Sequence, residues 1–201
     1  ILNGAHTSMA MMGCAAGLQN VRDAMEHPQL GKFIRRLVYD EIVPHIPGDI
    51  LELEKYADDV INRFRNPAIE HKLEHIALNS FSKYKVRVLP SLIDNIERNG
   101  QVPERLSFTF AALLYYYRGH GEGRHFVLND SRDVIGLMKE VWESRVLSEE
   151  GMALLCQQVL FDPFWGTDLR KYPMLVERVS HHLFCIVSKG LIESLRMPEN
   201  N

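Results

Sequence analysis

Leu30-Gly31-Lys32-Phe33-Ile34-Arg35-Arg36-Leu37-Val38-Tyr39-Asp40-Glu41-Ile42-Val43 puts apolar side chains at 30, 33, 34, 37, 38 and 42. That spacing follows the turn of a helix, with Lys32, Arg35 and Arg36 on a basic face. It predicts one amphipathic helix over 30–43, and the same period recurs in both directions. Upstream, Met9 to Met25 reads as a helix whose small residues Gly13, Ala15, Ala16 and Gly17 allow close approach, broken by His27-Pro28. Downstream, Pro44-His45-Ile46-Pro47-Gly48 is a turn, and Asp49 caps a helix to about Phe64 with Leu53, Tyr56, Val60, Ile61 and Phe64 inward.

Asn66-Pro67 opens a further helix, a capping residue followed by Pro at the first helical position. It is expected to carry Ile69, Leu73, Ile76, Ala77 and Ser80 to the core. From about Ser82, Leu92, Ile93 and Ile96 continue at helical spacing, with Pro90 marking a kink or a helix start. Pro103 to Arg118 reads as a buried helix and Gly119 to His125 as a flexible loop. Asp130 or Ser131 caps a helix carrying Val134, Met138 and Trp142; Ser148-Glu149-Glu150 opens another through Leu160; Leu175 to Leu195 forms the last. No convincing strand pair is predicted. The expected fold class is all-α, as one domain over 1–201.

With 201 residues, 46% hydrophobic and 24% charged, the chain can bury one proper core. A net charge of -3 provides no basic field for nucleic acid or anionic lipid. No apolar run approaches the roughly 20 residues of a membrane span. The first residues lack a basic segment before an apolar core, so no signal peptide is expected. Cys14, Cys156 and Cys185, odd in number and without a C-x-x-C pair, are expected as reduced thiols in a cytoplasmic protein.

Four groups could carry chemistry. Asn3 and His6 stand three apart, on one face if a helix begins here; together they could manage a hydroxyl or carbonyl, or Asn3 could simply cap the helix. His71-Lys72-Leu73-Glu74-His75 fits an H-x-x-E-H zinc-hydrolase pattern, with His71 and His75 as ligands and Glu74 as base. Five matching residues arise easily by chance among nine histidines, and no third ligand is singled out. Gly119 to Gly123 superficially resembles a phosphate cradle but lacks the preceding strand of a dinucleotide-binding turn. Lys83, Lys85 and Arg87 form a cationic run that would suit a substrate carboxylate or a solvated face. His181-His182 reads as a partly buried stretch of helix.

Asn3-Gly4-Ala5-His6-Thr7, Asn66-Pro67-Ala68-Ile69 and Asn79-Ser80-Phe81-Ser82-Lys83 together resemble the mannitol dehydrogenase family, the long-chain, metal-independent polyol and sugar-acid dehydrogenases. The resemblance runs over essentially all 201 residues, including Phe164-Trp165-Gly166-Thr167-Asp168-Leu169. It is greatest to members acting on tagaturonate and altronate. It implies a multi-helical C-terminal domain of the kind found in 6-phosphogluconate dehydrogenase-like enzymes, serving substrate binding and catalysis. NAD would be the cofactor, bound mainly by an N-terminal Rossmann domain of the same polypeptide, and no metal would be needed. Asn3 and His6 match the second and third members of the family's Lys, Asn, His motif, whose lysine would fall two positions before Ile1. Lys83 matches a substrate-binding lysine. His75 stands where polyol-oxidising members carry a substrate-binding arginine, a departure that suits a sugar acid. The substrate would be a keto-hexuronate and its aldonate, with fructuronate or a mannitol-type polyol as the family alternative. Outside the family, a zinc hydrolase or a non-catalytic helical interaction domain stays open.

Overall fold

A computed structural model describes residues 1–66 and 70–196. The α-helices follow as α1 (Leu2–Ala15), α2 (Val21–Glu26), α3 (Pro28–Arg36), α4 (Ile50–Phe64), α5 (Leu73–Ile76) and α6 (Ser80–Arg87). Then come α7 (Leu89–Asn99), α8 (Glu104–Tyr116), α9 (Arg132–Glu143), α10 (Glu149–Phe161), α11 (Pro173–Lys189) and α12 (Leu191–Ser194). A two-residue hairpin, β1 (His120–Gly121) and β2 (Arg124–His125), lies between α8 and α9. The all-α expectation holds. Among the described residues no helix is long and apolar enough to cross a membrane.

Two helices organise the packing. α1 is buried on nearly every side from Gly4 to Ala15, and α8 is buried continuously from Leu106 to Tyr116. Helices apolar all round need neighbours all round. α1 packs on α2, α3, α5, α6 and α8, while α11 covers the rest of α8 and α10 backs α11.

The expected 30–43 helix is regular only to Arg36. Leu37–Ile42 then forms a π-helix and Val43–His45 a 3-10 turn. This widened stretch leaves Glu41 buried, at 7% exposure. The Glu41 carboxylate accepts the backbone N–H of Arg105 at 2.9 Å and of Leu106 at 2.7 Å, and Arg105 Nη1 at 3.3 Å. α8 needs this, because Pro103 precedes it and offers no side-chain acceptor for the first N–H groups. Burial pushes the Glu41 carboxyl above its usual range, yet all three partners are donors, which only the ionised form matches fully.

Elsewhere the caps fall largely where the residues suggested. Asp49 accepts from Leu51 N and Glu52 N, Ser131 from Val134 N and Ser148 from Gly151 N, while His27, expected only as part of a break, also caps, accepting from Leu30 N. Tyr56, expected inward, is exposed, and Ala57 is buried instead. The expected Met9–Met25 helix is two, broken after Ala15. Among the described residues of the segment expected from Asn66, the helix is Leu73–Ile76; Lys72 pairs antiparallel with Asn20, and Pro67, Ala68 and Ile69 lie outside the described residues. Pro90 sits in the first turn of α7, so it marks a helix start. The Gly119–His125 loop is the small hairpin that the sequence did not suggest. It is tied down by Tyr116, which donates to Val127 O at 2.9 Å, and by Glu122, which accepts from Leu191 N at 2.8 Å. The expected Leu175–Leu195 helix is interrupted at Gly190, where φ is +86°, and the short α12 follows it.

Glu41→Ala is expected to lower stability by about 2–4 kcal/mol, since it leaves buried helix N–H groups without acceptors. Asp40→Ala, which removes a half-exposed partner of Arg105, should cost no more than about 1 kcal/mol. Urea denaturation of both variants checks this; equal losses would contradict a capping role for Glu41.

Candidate active site

α1 starts at Leu2, so Asn3 lies inside the helix and caps nothing. Its side chain is exposed, and its carbonyl takes the Thr7 hydroxyl at 2.8 Å. His6 follows one turn later, about 4.5 Å along the axis on the same side. Its ring stacks on Phe64 at the end of α4, with centroids 4.2 Å apart and planes 26° apart. His71 stands edge-on to it, at 6.1 Å between centroids. His6 Nε2 is buried and has no hydrogen-bond partner among the described residues. Burial first, then the nearby His71 and Arg87, lower its pKa from 6.5 to about 4. At neutral pH the ring is therefore uncharged, with one N–H to donate and one lone pair to accept.

Facing this end of α1 is α6, whose start is held from a distance. Asp130 Oδ2 and the Tyr117 hydroxyl both accept from Phe81 N at 3.2 Å, and Tyr117 in turn donates to Asp130. The two helices touch at Gly4, where a Cβ would come within 3.0 Å of the Arg87 carbonyl oxygen. Gly4 lies between Asn3 and His6, so its missing side chain brings that motif against α6.

The cationic run on α6 divides by role. Lys83 Nζ donates to Ile76 O at 2.8 Å, which ties α6 to the end of α5; burial, then Arg87, lowers its pKa. Lys85 donates to Phe164 O and lies 5.0 Å over the Phe164 ring, so it is structural. Phe81 packs against Phe164 and Trp165, which places the Phe164–Leu169 segment behind α6. Arg87 is exposed at the open end.

The packing of α1 on α5 and α6 brings the Asn3–His6 turn against α6, the helix that carries Lys83. His75 adjoins it through Ile76, the acceptor for Lys83, but its own side chain is 71% exposed and lies 3.8 Å from the Glu74 carboxylate. The zinc pattern does not form as expected. His71 precedes α5, so it shares no helical face with His75, and the described residues contain no group of three His, Cys, Asp or Glu placed to hold a metal. His182 is buried, edge-on to Phe108, with its pKa lowered to about 3 chiefly by burial; its neighbour His181 is exposed. Phe64 and Asp130, which seat His6 and α6, read from the sequence only as a core residue and a candidate helix cap. Their partners are remote in sequence, and no local spacing announces them.

The chain matches the family model described as mannitol dehydrogenase C-terminal domain over residues 1–187. It is 46% identical over 197 residues to an altronate oxidoreductase of Bacillus subtilis (strain 168), covering 97% of this chain and 39% of that protein. It is 37% identical over 199 residues to an altronate oxidoreductase of Klebsiella pneumoniae (strain 342), covering 98% and 41%. Among solved structures, Pseudomonas fluorescens mannitol 2-dehydrogenase, in ternary complex with NAD and D-mannitol, superposes with a TM-score of 0.82 at 24% identity, over 97% of this chain and 38% of that one. The fold is thus shared with a dehydrogenase. The chain spans about two-fifths of the length of the curated relatives it matches.

The depressed pKa of His6 has a measurable consequence. As pH falls, the unfolded chain takes up the His6 proton near pH 6.5 and the folded one only near 4, so folding loses stability across that window. His6→Asn is expected to flatten the decline. Denaturation midpoints followed from about pH 7 to about pH 4 test it, and slopes equal to those of the unaltered chain would contradict it.

Proposed function

The chain belongs to the mannitol dehydrogenase family, as its C-terminal domain, and on that premise we propose that it is the substrate-binding and catalytic half of an NAD-dependent sugar-acid oxidoreductase. The reaction is the interconversion of a keto-hexuronate and its aldonate, tagaturonate and altronate, in the cytoplasm. The altronate oxidoreductases that the chain resembles at 37% and 46% identity favour this over fructuronate or a polyol. Their greater length supports a further, cofactor-binding domain in the same polypeptide.

One observation carries the chemistry: the buried, unpartnered Nε2 of a neutral His6, one turn from the exposed amide of Asn3. A lone ring nitrogen and a free amide fit a substrate oxygen that alternates between hydroxyl and carbonyl. NAD, when bound, accepts or supplies the hydride at the adjoining carbon. Asn3 and His6 hydrogen-bond the oxygen and stabilise the negative charge that develops as its proton and the hydride part. The resemblance assigns that proton to a lysine ahead of Ile1. Stacking on Phe64 fixes the plane of the His6 ring, so its donor is oriented before the substrate arrives. Lys83, held by Ile76 O but with two N–H groups to spare, and His75 orient the remote hydroxyls.

The intact enzyme is expected to oxidise NADH with tagaturonate in preference to fructuronate or fructose. His6→Ala should lower kcat/KM by about 100- to 1000-fold, as expected for loss of one donor to a developing oxyanion. Absence of NADH oxidation with any hexuronate or ketose, or stoichiometric zinc in the purified protein, would overturn the assignment.

A further inference from the structure

We propose that Arg87 is the carboxylate anchor of the site, and so the residue that selects sugar acids over neutral sugars. This rests on the function proposed above and adds a specificity determinant to it.

Position comes first. Arg87 ends α6, and its carbonyl is the surface on which Gly4 rests, between Asn3 and His6. It lies one turn beyond Lys83 on the same helical face, the spacing that brings side chains at i and i+4 together. Its guanidinium is near enough to both His6 and Lys83 for its charge to be felt at each. A ligand whose reacting oxygen meets Asn3 and His6 therefore has Arg87 within its surroundings.

The balance of charge comes second. His71 and Arg87 stand near a neutral His6, Arg87 is also near Lys83, and the carboxylates Asp130 and Glu74 have partners of their own. Asp130 receives Tyr117, Phe81 N and Ser131 N, and Glu74 lies against His75. Lys83 is partly engaged by Ile76 O. Arg87 is exposed, and its side chain has neither a hydrogen bond nor an ion pair among the described residues. A guanidinium without a carboxylate partner beside a substrate site favours an anion.

Chemistry comes third. A guanidinium presents parallel N–H groups that match both oxygens of a carboxylate, whereas an ammonium acts as a point charge. His75 is the poorer anchor, because the Glu74 carboxylate 3.8 Å away would repel a second one. A neutral sugar offers Arg87 no charge to meet.

The test is steady-state kinetics of the full-length enzyme with NADH, comparing a keto-hexuronate with a neutral ketohexose. Arg87→Gln should raise KM for the hexuronate by about 10- to 100-fold, the range for a lost charge-assisted hydrogen bond, with kcat changed far less. The preference for hexuronate over ketohexose should fall by a similar factor, and Arg87→Lys should restore part of it. An unchanged hexuronate KM in Arg87→Gln would overturn the proposal. So would an equal loss on both substrates, which marks a structural role at the Gly4 contact. An unaltered enzyme inactive on every hexuronate would instead overturn the function on which the proposal rests.

Discussion

A buried helix start presents backbone N–H groups that water cannot reach, and leaving one without an acceptor costs about 1–3 kcal/mol. In this molecule α8 and α6 solve that problem with carboxylates from elsewhere in the chain. Glu41 serves α8 at Arg105 N and Leu106 N, and Asp130 serves α6 at Phe81 N. Glu122 does the same for α12 at Leu191 N. Each contact does two things: it satisfies a donor next to a positive helix end, and it fixes where two distant segments sit relative to one another.

The site inherits its geometry from these ties. Glu41 anchors α8, and α8 with its neighbours encloses α1. Asp130 and Tyr117 anchor α6 from behind, while Lys85 and the Phe164–Trp165 aromatics brace its flank. The Asn3–His6 turn and the Lys83–Arg87 turn then meet across one close contact at Gly4. Neither turn alone sets that contact; their common attachment to the core does.

Much of this was legible in the residues, and what was not follows a rule. Periodicity and local caps found the helices, because both depend on neighbours within a turn or so. Asp49 before α4 and Ser148 before α10 behave as their positions suggest. The π-helix at Leu37–Ile42 was hidden because an apolar pattern of helical period fits either winding, and its partners lie more than sixty residues away at Arg105 and Leu106. The hairpin was missed because its strands are two residues each and their support comes from Tyr116 and Glu122, not from alternation. At the site, Asn3 and His6 were recognisable by motif, but the run Lys83, Lys85, Arg87 could not be divided from spacing alone. Only Phe164, some eighty residues on, distinguishes Lys85 from its neighbours.

Chain order gives the remote ties a direction in time. During synthesis Glu41 emerges before α8 and Glu122 before α12, so those helices meet acceptors already made. α6 is the reverse case: Asp130 follows Phe81 by 49 residues. A nascent chain halted between them would already hold α1 and the Lys83–Arg87 sequence, yet α6 would have no Asp130 to secure its first turn. The helix that carries Lys83 and Arg87 is thus fastened late, and a truncated product would lose the placement of α6 against α1 before it lost its helices.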